Sequence, residues 1–88
     1  MATSRLYIME ALYSMNQGKE VLMVAKGQEE GVVLCDWQGQ FVTWKIYRHD
    51  DWRNTAHGKY FLFSYEKDKA LQYDKARNDF LARVLSIK

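Results

Sequence analysis

The residues best equipped for chemistry fall in one stretch, His49-Asp50-Asp51-Trp52-Arg53-Asn54-Thr55-Ala56-His57-Gly58. Imidazole beside carboxylate can hold a metal ion or pass protons near neutral pH. The two histidines do not have the spacing of a helical ligand pair, however. The single thiol, Cys35, lies in a β-branched run that aims it into a core and not toward them. No catalytic residue, metal or other cofactor is expected. Phosphate binding is disfavoured as well, because the glycines at 18, 27, 31, 39 and 58 never cluster as a cradle between a strand and a helix. What the stretch does carry is an interface mixture: Trp52 and Arg53 among His49, Asp50, Asp51, Asn54 and His57, an aromatic anchor in a polar surround. Ten residues is also long for a hairpin connection in a small domain. Two readings of Trp52 stand: an anchor for a protein partner, or a lid folded back over an open edge of the core.

The flanking elements must position that loop. Phe41 to Arg48 alternates with period two, placing Val42, Trp44 and Ile46 on one face and Phe41, Thr43, Lys45 and Tyr47 on the other. One face must be core, which leaves an aromatic on the other as ordinary surface or a contact platform. Upstream, Val32 to Trp37 is a β-branched strand, and Gln38-Gly39 offers a two-residue turn into Phe41. That turn sets Cys35 opposite Val42 and Val33 opposite Trp44 on one face, with Asp36 opposite Phe41 and Leu34 opposite Thr43 on the other. Glu20 to Lys26 reads as a strand covered on both faces, joined to the next by a solvent-facing connection from Gly27 to Gly31. Lys59 to Ser64 makes the fourth strand. From about Tyr65 the period changes, and Tyr73, Ala76, Phe80, Leu81, Val84 and Ile87 form the apolar stripe of a helix, with Lys69, Lys75 and Asp79 outward. Arg77 falls within that stripe, read either as a stem reaching solvent or as a buried partner of Asp74.

The beginning of the chain fits two patterns. Ser4 can cap a helix from about Arg5 to Asn16, with Leu6, Met9, Leu12 and Tyr13 on one stripe and Gly18 closing it. Alternatively, Leu6 to Tyr13 pairs as a strand with Val21 to Ala25 through Asn16-Gln17-Gly18. Met, Glu, Ala and Leu at 9 to 12 favour the helix. The expected fold is therefore α+β: a four-stranded antiparallel sheet, a long C-terminal helix packed on one face and a short N-terminal helix.

Composition bounds the rest. Eighty-eight residues make one domain, 1–88, and a chain of this size buries roughly 60 to 65% of its unfolded surface. With 48% hydrophobic and 15% aromatic residues it has enough apolar area to fold alone. One cysteine and no leader-like apolar start imply a reducing, cytoplasmic location, and no run is long enough to span a membrane. A net charge of +2 is too small to steer nucleic acid by field alone. Lys59-Tyr60-Phe61-Leu62-Phe63 is similar to the basic aromatic strand on which some sheets stack single-stranded bases, and Lys45, Tyr47 and Arg48 could lie beside it. The glycine and aromatic order of that signature is not met.

Phe41-Val42-Thr43-Trp44, Asn54-Thr55, Gly58-Lys59-Tyr60-Phe61 and the run from Ala76 to Arg83 with Asp79-Phe80 together resemble small proteins of Gram-positive bacteria and their phages or plasmids. The resemblance covers the C-terminal half and implies no active site. Some mobile-element proteins of this size and class inhibit host defence, anti-CRISPR proteins among them. The expectation is a non-enzymatic module that binds a larger host protein or nucleoprotein complex, with a single-stranded nucleic-acid-binding sheet as the alternative.

Overall fold

The computed structural model describes residues 7–87 and shows an antiparallel meander of five strands followed by one helix. The strands are β1 (Tyr7–Met15), β2 (Lys19–Lys26), β3 (Glu30–Trp37), β4 (Gln40–Tyr47) and β5 (Ala56–Leu62), paired in sequence order, and α1 (Glu66–Leu85) closes the chain. The coarse expectation of an α+β antiparallel sheet with a C-terminal helix holds. The four-strand count and the N-terminal helix do not.

Residues 7–15, expected as helix, form β1, which pairs with β2 across a short 3-10 turn at Asn16–Gly18. The proposed cap Ser4, together with Arg5 and Leu6, lies outside the described residues. The physical reason for a strand is β2. Val21, Val24 and Ala25 are almost fully buried, so the outer N–H and C=O groups of β2 need ladder partners that a helix cannot supply. Gln17 and Gly18, with φ of 62° and 76°, make the reversal.

The β3–β4 hairpin has the expected register, with Cys35 opposite Val42, Val33 opposite Trp44, Asp36 opposite Phe41 and Leu34 opposite Thr43. Gln38 and Gly39 both have positive φ, 52° and 74°, as a turn matching the twist of a tight hairpin requires. Neither face of the sheet is open at its centre. Against α1 lie Met23, Ala25, Val32, Leu34 and Phe41, meeting Ala76, Phe80 and Val84 of the helix, with Tyr73, Leu81 and Ile87 packed around them. Phe41 is thus core and not a platform. The stripe expected for the helix is the buried one, and Arg77 and Leu71 are exposed.

Asp79 faces inward, contrary to expectation. Its Oδ2 accepts from the buried Thr43 hydroxyl at 2.5 Å and from Arg83 Nε at 3.1 Å, and Lys59 Nζ stands 3.5 Å from Oδ1. Thr43 brings a hydroxyl into an apolar layer, and that hydroxyl needs an acceptor. Lys69, also expected outward, lies 5.4 Å over the Phe63 ring. No described helix is long and apolar enough to cross a membrane.

On the opposite face Val21, Val24, Val33, Cys35, Val42, Trp44 and Ile46 form a second cluster, with Ala11, Met15, Trp37 and Trp52 around it. Trp44 meets Trp37 and Tyr60 edge to face at 5.5 and 6.0 Å. Its indole also lies directly over Gly58, where any Cβ would collide with it. Lys19, buried although charged, sends Nζ to Asn16 Oδ1 at 3.0 Å and stands 5.2 Å from the Trp44 ring. Its long stem and cation complete the cover at that end.

Candidate functional site

The loop after β4 is shorter and more ordered than its sequence suggests. β4 ends at Tyr47 and β5 begins at Ala56, so the connection is residues 48–55, and His57 and Gly58 belong to β5. Arg48–Asp50 forms a single 3-10 turn. The Asp51 N–H then donates to Arg48 O at 2.8 Å, the Trp52 N–H to Tyr47 O at 3.0 Å, and the Arg53 N–H to Asp50 Oδ1 at 3.3 Å. Asp51 and Trp52 both take φ of 62°, a left-handed pair that turns the chain back and drops the indole onto the second cluster. Lys26 Nζ lies 5.0 Å over that ring. A half-buried Trp52 is a lid.

The same indole is also one wall of a hollow of about 350 Å³ lined by Tyr13, Ser14, Met15, Asn16, Trp52 and Arg53. β1 and β4 are not neighbours in the sheet, so this juxtaposition requires the sheet to curl. Register shifts between Glu10 and Tyr13, Val21 and Met23, and Thr43 and Lys45 are irregularities of the kind that bend strands and tighten twist. Arg53, on the rim, is exposed and stands 3.7 Å from Asp51. His49 stacks on Tyr47 with ring centroids 5.4 Å apart, and Arg48 pairs loosely with Glu29 at 3.8 Å. The loop therefore presents Trp52 and Arg53 at one end of the hollow, with Asp51 beside Arg53. His57, at φ 54° on β5, is not part of it.

The alternative set is divided. Lys45 and Tyr47 alternate with Thr43 on the helix face of β4, Lys59 pairs with Thr43, and Tyr60 pairs with Val42 on the opposite face. Lys45 is engaged with Glu30 at 3.4 Å and Lys59 with Asp79. Tyr60 and the two lysines do not share a surface. Among the described residues no three His, Cys, Asp or Glu side chains converge as metal ligands. Cys35 is fully buried, and burial pushes its thiol up to about 12, so it stays protonated and unreactive at neutral pH.

Tyr13, Met15 and Asn16 are not legible as site residues from sequence, because their segment carries a helical pattern. The Asn16-Gln17-Gly18 turn followed by an apolar strand was the signal that could have found them. Comparison with protein-family models, with curated proteins and with solved structures finds no match to this chain.

Proposed function

We propose that this chain is a non-enzymatic protein-binding module whose contact surface is the hollow between Trp52 and the end of β1. One observation carries this reading. An aromatic wall and an exposed arginine rim are held by a loop whose backbone is already hydrogen-bonded in place, so a partner would bind without the entropic cost of ordering it. Tyr13 and Trp52 offer rigid apolar area, and Arg53 offers a planar cation to a carboxylate or carbonyl of the partner. The resemblance of the C-terminal half to mobile-element proteins extends the proposal to an inhibitor that covers a surface of a larger host enzyme.

The test is capture from host lysate after nuclease treatment, with the wild type beside Arg53→Glu. Arg53 is exposed, so the variant should keep its melting transition while the captured protein is lost. Recovery of the same protein by Arg53→Glu and by Tyr13→Ala, both folded, would remove the hollow as the interface. Recovery of nucleic acid alone would favour the sheet reading.

A further inference from the structure

Among the described residues β1 and β5 are the two edge strands of the sheet, and the outer edge of β1 is the less protected. Among the described residues no strand pairs with it, and Tyr7–Met15 carries one residue charged at neutral pH, Glu10. The other edge is blunted: β5 is shorter, carries Lys59 at its centre, and is kinked by the left-handed His57. β1 is also irregular, between Glu10 and Tyr13, but there the irregularity leaves Leu12 standing 90% exposed, with Met9 at 55% and Tyr13 at 42%. Beside Leu12 is a second hollow, of about 280 Å³, lined by Leu12, Tyr13, Ser14, Glu20, Val21 and Leu22. A leucine knob and an apolar recess thus sit on one strand.

A two-fold axis perpendicular to the sheet makes that surface self-complementary, since each knob then faces the other copy's recess. We propose that β1 pairs antiparallel with β1 of a second copy, with Leu12 of each seated in the recess of the other. The chemistry specifies the occupant: unpaired strand N–H and C=O groups are satisfied by another strand, and an identical strand brings no charge except its own Glu10. An axis near Leu12 sets Glu10 of each copy opposite Ser14 of the other, so the two Glu10 residues do not oppose each other. Pairing of β1 with β5 of another copy would instead propagate without closing, and it would set Lys59 and the His57 kink against the new ladder.

Sedimentation velocity of the full chain across the micromolar range tests this. The wild type should show a reversible monomer–dimer equilibrium. Leu12→Asp should weaken it by at least about tenfold, or about 1.4 kcal/mol, and Leu62→Asp, at an exposed apolar position on β5, should leave it unchanged. Leu12→Ser serves in place of the aspartate if that variant loses its melting transition. Hydrogen exchange should show β1 amides gaining protection with concentration in the wild type but not in Leu12→Ser. A wild type that stays monomeric throughout, assemblies that grow past the dimer, or a dimer lost to Leu62→Asp but not to the Leu12 variants would overturn the proposal. The two hollows share Tyr13 and Ser14, so Arg53→Glu, at a residue that lines only the binding hollow, is the variant that should lose partner capture while leaving the dimer unchanged.

Discussion

Removing the Asp79 carboxylate should unfasten the helix from the sheet, and the size of the effect follows from what it leaves behind. In Asp79→Ala the Thr43 hydroxyl, fully buried, loses its acceptor, and a stranded buried hydroxyl costs about 1–3 kcal/mol. Arg83, only 19% exposed, loses a charge-assisted bond at 3.1 Å on its own helix face. Lys59 is 62% exposed, and its loss of a partner adds little. Because the three groups share one carboxylate, their costs do not add, and a total of about 2–4 kcal/mol is expected. For a domain of this size that lowers the melting temperature by roughly 10–25 °C. Urea melts of Asp79→Ala, Thr43→Val and the double variant should give a coupling energy of about 1 kcal/mol or more, since Thr43→Val removes the donor that Asp79→Ala strands. A loss within about 0.5 kcal/mol of wild type, as for an ordinary surface change, or a coupling of zero, would show that the contact carries no energy.

Phe80→Ala should cost about 3–5 kcal/mol because Phe80 is fully buried at the centre of the helix stripe, whereas Leu71→Ala, at a position 55% exposed, should cost far less; equal losses in denaturant melts would mean the helix face is misassigned. Burial raises the Cys35 thiol from its ordinary 9.0 to about 12, so between those values the unfolded chain gives up a proton that the folded chain keeps. Stability from this residue is full below pH 9 and should fall by at most about 1.4 kcal/mol per pH unit above it. A pH series of melts in which Cys35→Ala declines just as steeply in that window would refute this.

Where local pattern and tertiary need agreed, the sequence was legible. The β3–β4 hairpin combined strict alternation with a two-residue turn, and its register follows from those two facts alone. The helix stripe was equally plain, because Ala76, Phe80 and Val84 recur every four residues. β1 looks helical in sequence for a specific reason. The register shift between Glu10 and Tyr13 breaks the period of two, so Met9, Leu12 and Tyr13 fall three and four apart and imitate a helical stripe. Asp79 looks outward in sequence because an acid beside an apolar stripe is usually solvated. Only its pairing across the layer with Thr43, 36 residues earlier, reveals otherwise.

The candidate site was half legible for the same reason. Trp52 and Arg53 stood out by residue type, but the opposite wall came from the misread strand, and the two meet only because the sheet curls. Trp52 packs on the second cluster and also lines the hollow, so the lid position and the position proposed for contact belong to one residue. Trp52→Ala would therefore confound unfolding with loss of binding. Arg53, 77% exposed, isolates the second effect, and the comparison of Arg53→Glu with wild type decides whether this loop is a surface for a partner or only a cover for the second cluster.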